Sequence, residues 1–269
     1  MTTKSSPEKT HGGDNGPSCV VCNAEQMKEH YRTLLARRYS WIYGGFEEKA
    51  AENAELFASL GVAPSHDAHD AHDGIAIDLG CGSGFQAIPL ARAGFRVRAV
   101  DLSHELLDEL KTHAAGLPIE IYEQDLSGFM SSFNERAELI VCMGDTLTHL
   151  ESPGKVDDLI RVCAEKTGPG GTLILSFRDY TVPLIGDDRF IHVRSDDNTI
   201  FTCFVEYSDG YAEVYDLLHE RNSGEWTRTV SHYRKLRLSP DMIEKAMSGY
   251  GYSVGRTLSR GMITLTGKI

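Results

Sequence analysis

A buried strand that runs into a glycine-rich turn constrains this 269-residue chain more than any other feature. The stretch Ile75-Ala-Ile-Asp-Leu-Gly-Cys-Gly-Ser-Gly-Phe85 opens with apolar or small residues, as expected of a central parallel strand buried on both faces. Gly80, Gly82 and Gly84 follow at every second position, and glycine lets the backbone take positive φ angles and lie against a ligand. Helical spacing of apolar residues begins at Gln86. The sequence therefore predicts a ligand pocket at the carboxyl end of a parallel strand.

The spacing of these glycines argues against a dinucleotide. Dinucleotide-binding turns follow G-x-G-x-x-G, and the pyrophosphate rests on the N-terminus of the next helix. Here Phe85 stands in place of the third glycine, and Asp78 precedes the turn. A carboxylate at that place favours a ligand with positive charge over a pyrophosphate. A turn without a ligand and a nicotinamide-dependent oxidoreductase on the same architecture remain alternatives.

Charge and composition narrow the classes of partner. The formal net charge of -12 disfavours nucleic acid, because phosphate binding needs a basic surface. The sequence contains no run of about 18 apolar residues and no apolar signal-peptide core, so we expect a cytoplasmic protein without a membrane partner. Six cysteines in a chain of this length predict reduced, mostly buried thiols.

Strand and helix patterns alternate from residue 75 to residue 177, which predicts a parallel sheet with right-handed crossovers. The second, third and fourth strands each end at or run into an acid, namely Asp101, Asp125 and Asp145. Asp101 follows the first strand by about 20 residues, the separation at which an acid accepts hydrogen bonds from ribose hydroxyls. Several acids at one sheet edge would repel the phosphates of a dinucleotide.

The flanking segments add three elements to this core. Residues 27–61 have helical spacing that breaks at Gly44-Gly45, and they predict two helices that close over the pocket. Residues 181–238 are rich in alternating Val, Thr, Tyr and Phe and predict an antiparallel β insertion. Residues 239–269 predict a last helix and a β pair.

The predicted fold class is therefore α/β, with a Rossmann-like doubly wound sheet, N-terminal helices and an antiparallel β insertion. We expect residues 1–26 to be a disordered tail, residues 27–269 to form one catalytic unit, and its cofactor-binding core to span residues 73–180.

Two short motifs could hold a metal ion or a redox pair. Cys19-Val-Val-Cys22 has no second cysteine or histidine pair at zinc-finger spacing, and no strand precedes it. The repeat His66-Asp-Ala-His-Asp-Ala-His-Asp73 carries no helix signal that would fix its geometry. We expect an incidental cysteine pair, a solvated loop and no metal site.

Four motifs in order resemble those of class I S-adenosylmethionine-dependent methyltransferases: Asp78-Leu-Gly-Cys-Gly-Ser-Gly, Val100-Asp101, Glu123-Gln-Asp125 and Pro169-Gly-Gly. Within that superfamily, Val141–Leu150 and Leu175–Tyr180 resemble the glycine and sarcosine N-methyltransferases. The resemblance implies a Rossmann-like fold, S-adenosylmethionine as cofactor and methylation of a small molecule. A sulfonium and an ammonium also match the cationic ligand that Asp78 favours.

The resemblance assigns roles to single residues. Asp101 would hold the ribose, Asp125 with Leu126 the adenine, and Lys49 the cofactor carboxylate. Tyr39 and Tyr43, on the helices before the first strand, are candidate contacts to cofactor or substrate, with aromatic packing as the alternative. The cofactor contacts predicted in this way are Tyr39, Tyr43, Lys49, Asp78, Gly80, Cys81, Gly82, Gly84, Asp101, Leu102, Asp125, Leu126 and Met143.

The acceptor side differs from the family at one position, where the family's asparagine is Asp145. That change adds negative charge, which disfavours a small anionic amino acid and favours an amine or a neutral acceptor. Asp145 or His149 could take or orient a proton. The resemblance implies that Arg178 grips the substrate carboxylate, and an ion pair with Asp179 or another acid is its alternative. Packing or hydrogen bonding after the fourth strand is the alternative for His149.

These features predict in-line methyl transfer to a small amine or amino-acid-like acceptor. Methylation of an oxygen or a sulfur, an oxidoreductase, and a cofactor-binding protein without catalysis remain alternatives. Tyr43, Tyr180 and Tyr233 are candidate acceptor contacts. The sequence is compatible with a homo-oligomer and does not decide it.

Overall fold

The computed structural model describes residues 29–65 and 74–269. The predicted tail, the Cys19/Cys22 pair and the His66–Asp73 repeat lie outside these residues. Within them, no helix is both long and apolar enough to cross a bilayer. No group of His, Cys, Asp and Glu in the same ranges is arranged to hold a metal ion.

Eleven strands of the described ranges form two sheets. Their bounds are β1 Ile75–Leu79, β2 Arg96–Asp101, β3 Ile119–Glu123, β4 Ala137–Cys142, β5 Thr167–Phe177, β6 Phe190–Ser195, β7 Thr199–Ser208, β8 Tyr211–Asn222, β9 Glu225–Leu236, β10 Ser253–Ser259 and β11 Met262–Lys268.

The larger sheet has the order β10-β11-β5-β4-β1-β2-β3. Strands β1 to β5 are parallel to one another, and β11 runs antiparallel to both β5 and β10. The chain leaves β1 on one side to reach β2 and returns on the other side to form β4. Ligands of open α/β sheets bind outside the carboxyl ends of the strands at such a reversal.

Seven α-helices accompany the strands in the described residues, and they cover both faces of the larger sheet. Helices α2, α3 and α4 pack on the face that carries Ala76 and Val141. Helices α5, α6 and α7 pack on the face that carries Ile77 and Ile140. The doubly wound prediction is confirmed. The helices are α1 Tyr39–Ile42, α2 Phe46–Ser59, α3 Ala87–Arg92, α4 His104–His113, α5 Leu126–Ser132, α6 Pro153–Lys166 and α7 Pro240–Gly249.

The smaller sheet is the predicted β insertion, with the antiparallel order β6-β7-β8-β9. Residues 29–45, which we call the N-terminal segment, pack on its inner face. Leu34 and Leu35 contact Phe201 and Leu218 in one buried cluster. This segment is not one continuous helix. A π-helical turn and a 3₁₀ turn precede α1, and Gly44 and Gly45 take positive φ angles where the sequence predicts a break.

Buried polar contacts fix the N-terminal segment to the insertion. The Nδ1 atom of His30 lies 2.6 Å from Ser231 Oγ, and its Nε2 atom lies 3.2 Å from an Asp216 carboxylate oxygen. The other oxygen of Asp216 accepts a hydrogen bond from the Cys203 thiol at 2.8 Å. Nearer the surface, Arg38 pairs with Glu220 of β8. The N-terminal segment is therefore held by polar contacts to β8 and β9.

We expect Asp216→Ala to lower the free energy of unfolding by about 1–3 kcal/mol, because it leaves the buried His30 ring and Cys203 thiol without their shared acceptor. Urea unfolding measures the change. Asp197→Ala, at an exposed turn, is the matched control and should change stability by less than about 0.5 kcal/mol. Equal unfolding midpoints for the two variants would contradict the role of Asp216.

Candidate functional site

Two adjoining cavities lie at the carboxyl ends of β1 and β4. The larger has a volume of about 570 Å³, and the smaller has about 110 Å³. Tyr39, Gly80 and Gly144 line both cavities. The cavities therefore meet across the glycine turn, where the order of the sheet reverses.

At two positions of the glycine turn, neighbouring side chains leave no room for a Cβ atom. The N–H groups of Gly80 and Cys81 both donate to the Val100 carbonyl, which fixes the turn to β2. Gly80 has a φ of 74°, and a Cβ there would overlap the Thr146 side chain. A Cβ at Gly84 would overlap Leu110. Gly80 and Gly82 line the smaller cavity, whereas Gly84 lines neither cavity.

Asp101 joins the glycine turn to the end of β2. Its two carboxylate oxygens accept hydrogen bonds from the Gly82 and Ser103 N–H groups, both at 2.8 Å. Burial raises the pKa of Asp101, and these N–H groups oppose the rise. A carboxylate has about four lone-pair positions, so Asp101 keeps acceptor capacity toward the smaller cavity. The arrangement suits a ligand that donates hydroxyl hydrogens.

Apolar side chains form one wall of the smaller cavity. Leu102 and Leu106 follow Asp101, and Leu126 approaches from the start of α5. Tyr31 and Tyr39 of the N-terminal segment cover it. An acidic hydrogen-bond acceptor beside apolar walls matches a nucleoside, whose sugar is hydroxylated and whose base is flat.

Five further predicted cofactor contacts line the larger cavity. Cys81 and Met143 line it from the sheet, and Tyr39, Tyr43 and Lys49 line it from the side of the N-terminal segment and α2. Tyr39 stacks on Phe85 with ring centroids 5.5 Å apart, and Tyr43 meets Tyr39 edge-on. Lys49 pairs with Glu52 at 2.9 Å.

Besides Gly84, two predicted cofactor contacts lie away from both cavities. Asp125 is the N-cap of α5, and one of its carboxylate oxygens accepts from the Ser127 and Gly128 N–H groups at 3.0 Å each. Asp78 is fully buried beneath the turn. Burial, together with the nearby Asp101 carboxylate, raises the pKa of Asp78 to about 8. In the protein without a ligand, burial therefore favours the protonated form of Asp78, and its role toward a cationic ligand stays a prediction.

Asp145 lies in the turn that follows β4 and adopts a left-handed backbone conformation, with a φ of 77°. One of its carboxylate oxygens accepts from the Arg178 N–H at 2.9 Å, and the other accepts from the Tyr180 hydroxyl at 2.9 Å and from the Lys235 ammonium. Both charged side chains are buried. Burial alone would raise the pKa of Asp145, but Lys235 and the Arg178 N–H hold it below its usual value.

Lys235 changes the interpretation of the acceptor side. Its own burial would lower its pKa, but Asp145 and Tyr180 hold that pKa above the usual value, so the pair is ionised. The prediction that Asp145 adds net negative charge is therefore wrong, because Lys235 balances it. The sequence analysis missed Lys235. The signal was its spacing from Tyr233, two residues earlier, which places both side chains on the buried face of β9.

His149 and Arg178 both face the cavities. His149 lines the smaller one, where loss of contact with water, and then the Lys235 charge, lowers its pKa to about 3. The imidazole is therefore neutral at physiological pH. Arg178 lines the larger cavity. Asp179 accepts hydrogen bonds from Thr181 instead of pairing with Arg178, so the predicted alternative for this arginine is not formed.

The middle of the chain matches a known family. The family model described as a methyltransferase domain matches residues 76–171, which include the glycine turn, Asp101 and Asp145. The matched residues contain most of β1, the strands β2 to β4 and the start of β5, which together make the floor of both cavities.

A curated relative is similar to this chain over part of its length. The ubiquinone biosynthesis O-methyltransferase of a Caulobacter species is 33% identical over 112 residues, which cover 39% of this chain and 41% of that protein. The chain thus matches about two fifths of the length of that curated relative.

Two solved structures have a fold similar to that of nearly the whole chain. An amino pentose methyltransferase from Micromonospora echinaspora, solved with S-adenosylmethionine bound, aligns with a TM-score of 0.66 and 14% identity over 90% of this chain and 95% of its own. A sugar N-methyltransferase from a Streptoalloteichus species aligns with a TM-score of 0.64 and 11% identity over 100% and 99%. At these identities the likeness shows a common fold.

The family match and the two cavities fit S-adenosylmethionine as the cofactor. Asp101 offers acceptors for ribose hydroxyls, and the leucines of the smaller cavity offer an apolar wall for adenine. The roles of the individual contacts, including Asp125, and the closeness to glycine and sarcosine N-methyltransferases stay predictions.

Gly80→Ala should lower both the free energy of unfolding and the affinity for the cofactor. The new Cβ would overlap the Thr146 side chain, and the left-handed backbone conformation costs an alanine about 1–2 kcal/mol. Thermal unfolding and calorimetric titration with S-adenosylmethionine measure the two losses. Gly116→Ala is the matched control, with a φ of 77° and nothing within 4 Å. Adding Thr146→Ser to Gly80→Ala should restore part of the loss. No difference from the control would refute the packing argument.

Asp78→Asn should be more stable than the wild type at pH 7 and similar to it at pH 4. The folded-state pKa of Asp78, about 8, lies above the usual value of about 3.9. Its stabilising contribution is therefore complete below about pH 4 and is lost as the pH rises toward 8. We expect the stability difference to grow by about 2 kcal/mol from pH 5 to pH 7 in urea unfolding. The exposed Asp197→Asn should show no such growth, and a flat difference for Asp78→Asn would contradict its protonation.

Proposed function

We propose that this chain is an S-adenosylmethionine-dependent methyltransferase that methylates an amine of a small molecule. The observation that carries the proposal is the pair of cavities joined at the glycine turn. One has an acid and apolar walls suited to a nucleoside, and the other contains charged side chains suited to a polar acceptor.

The chain's own residues would hold the cofactor at several points. The Asp101 carboxylate would accept from the ribose hydroxyls, and Leu102 and Leu126 would lie against adenine. Tyr31 and Tyr39 would cover it from the N-terminal segment. Lys49, although paired with Glu52, is placed in the larger cavity to meet a carboxylate.

When bound, the cofactor would supply an electrophilic methyl group to a nucleophile in the larger cavity. The protein's part is to position the acceptor and to exclude water, and good positioning alone can contribute about 7–11 kcal/mol. The tyrosines of the N-terminal segment would help to exclude water, because they lie over the junction of the cavities.

The acid–base groups of the site favour an amine acceptor. A neutral amine needs no strong base, whereas an alcohol does, and a good general base has a pKa near the working pH. Asp145 is ion-paired with a lowered pKa, and His149 has a pKa of about 3. Both are therefore weak bases. The structural neighbour that methylates a sugar nitrogen has the same fold, which supports the proposal.

Methylation of an ionised oxygen is the second candidate. The curated relative is named an O-methyltransferase, and Lys235 and Arg178 offer positive charge to an anionic oxygen. An acceptor that ionises without help, such as a phenol, would need no base in the site. A screen of acceptors separates this candidate from the amine.

Asp101→Ala should weaken binding of S-adenosylmethionine and S-adenosylhomocysteine about 10-fold or more, because hydrogen bonds to a charged group contribute about 1.5–3 kcal/mol. Isothermal calorimetry measures the affinities. Asp158→Ala, on the exposed face of α6, is the control and should bind as the wild type does. Absence of binding by the wild type would overturn the proposed function.

Turnover is then measured by mass spectrometry with amines, phenols, alcohols and thiols. Methylation of amines, lost in Asp101→Ala, supports the proposal. Methylation of phenols alone would replace it with the second candidate. Cofactor binding without turnover of any acceptor would indicate a binding protein without catalysis.

A further inference from the structure

A row of three hydroxyl side chains lies along one wall of the larger cavity. Thr264 of β11 is directly opposite Ser176 of β5 on one side and Thr257 of β10 on the other. All three residues line the cavity. Neighbouring strands lie about 4.8 Å apart, so the row spans about 10 Å. A ligand the size of a six-membered ring can therefore contact more than one of these hydroxyls.

The alternation of side chains along β11 turns this row away from the apolar core. Ile263 and Leu265, the neighbours of Thr264 in sequence, belong to the buried cluster that contains Met247 of α7. Successive side chains of a strand point to opposite faces of the sheet. Thr264 therefore points to the other face, where the larger cavity lies.

The Thr264 side chain is buried, but its hydroxyl has no partner in the part of the chain that the structure describes. The residue is only 6% exposed, and its hydroxyl forms no hydrogen bond with a described residue. Valine has nearly the same shape, suits a strand equally well and carries no polar group to bury. Packing alone therefore does not account for a hydroxyl at this position, and the hydroxyl is available to a ligand in the cavity.

The row begins where the two cavities meet. Ser176 Oγ accepts a hydrogen bond from the Gly144 N–H at 3.1 Å, and Gly144 lines both cavities. The hydroxyl hydrogen of Ser176 is not used in that bond and can be donated to a ligand. At the other end of the row, Thr257 is exposed. A ligand whose nucleophile lies at the junction of the cavities would therefore extend along the row toward the protein surface.

An ion pair fixes the hairpin that carries two of the three hydroxyls. Arg260, in the turn between β10 and β11, pairs with Glu52 of α2, and the same carboxylate pairs with Lys49 at 2.9 Å. A Cβ at Gly261, the next residue of the turn, would lie 3.5 Å from the Arg178 guanidinium. The hairpin is thus held beside α2 and the end of β5, and a wall that is already in place loses less entropy when it binds a ligand.

We propose that Thr264, together with Ser176 and Thr257, forms a subsite for a polyhydroxylated portion of the acceptor, such as a sugar or cyclitol ring. The proposal rests on the function proposed above and names its substrate class, an amine on a hydroxylated ring or chain. A ligand hydroxyl both donates and accepts hydrogen bonds, and the hydroxyls of serine and threonine match both roles without charge. Thr264 is the specificity-determining residue, because it is the buried centre of the row.

Three variants separate the hydroxyl of Thr264 from its shape. Thr264→Val removes the hydroxyl and keeps the branched side chain, and Thr264→Ser keeps the hydroxyl. Thr266→Val is the matched control, because Thr266 lies two residues further along β11, opposite Ile174, and lines neither of the two cavities.

The experiment titrates each protein, saturated with S-adenosylhomocysteine, with glucosamine and with cyclohexylamine, and follows amide chemical shifts by NMR. Both ligands carry an amine on a six-membered ring, and only glucosamine carries hydroxyls. Each ligand is compared with itself across the variants, so the different basicity of the two amines cancels. We expect Thr264→Val to weaken glucosamine binding about 3- to 10-fold, the loss of one hydrogen bond, and to leave cyclohexylamine binding unchanged. Thr264→Ser and Thr266→Val should bind both ligands as the wild type does.

Four results would overturn the subsite. They are no binding of glucosamine by the wild type, equal glucosamine affinity in the wild type and Thr264→Val, an equal loss for both ligands in Thr264→Val, and a loss in Thr264→Ser as large as that in Thr264→Val. Binding of S-adenosylhomocysteine is measured first on each protein, and turnover of any amine tests the proposed function separately. Each of the four results therefore stays distinct from a failure of the proposed function.

Discussion

The buried ion pair between Asp145 and Lys235 joins the parts of the molecule that line the larger cavity. Asp145 follows β4, and its carboxylate also accepts hydrogen bonds from the Arg178 N–H and the Tyr180 hydroxyl, which follow β5. Lys235 comes from β9 of the insertion. Removing either partner alone would leave an uncompensated buried charge, which typically costs about 3–5 kcal/mol. The position of the insertion over the core therefore depends on an interaction that also sets the charge of the cavity.

The N-terminal segment forms the second link between core and insertion. Its residues Leu34 and Leu35 pack on the smaller sheet, and His30 lies against Asp216. Its tyrosines lie over the glycine turn, where Tyr39 stacks on Phe85. The residues that match the methyltransferase family model supply the floor of both cavities, and the N-terminal segment and the insertion supply much of the cover.

The sequence predicted those features that depend on residues close together in the chain. The alternation of strands and helices, the glycine turn and the acid at the end of β2 follow from local spacing, and the structure contains each of them. Asp125 shows the limit of such reasoning. An acid that follows a strand and precedes a helix can contact a ligand or cap the helix, and here one of its oxygens caps α5.

Features that depend on distant residues were not predicted. Asp145 and Lys235 are 90 residues apart in sequence, so no local pattern shows that one neutralises the other. The protonation of Asp78 depends on complete burial under a turn, which a single strand pattern does not show. In both cases the sequence identifies the residue, but the surroundings that balance or suppress its charge come from distant parts of the chain.

The contacts between the N-terminal segment and the insertion have a consequence for how such an enzyme can be altered. The smaller sheet carries both Lys235, which lines the larger cavity, and Asp216, which contacts His30 of the N-terminal segment. Tyrosines of that segment lie over the smaller cavity. A substitution that reshapes this sheet for a new acceptor therefore also shifts the cover of the cofactor cavity. Under the proposed function, we expect substitutions in this sheet to change acceptor range and cofactor affinity together, and the His30–Asp216 contact is the place where the two effects meet.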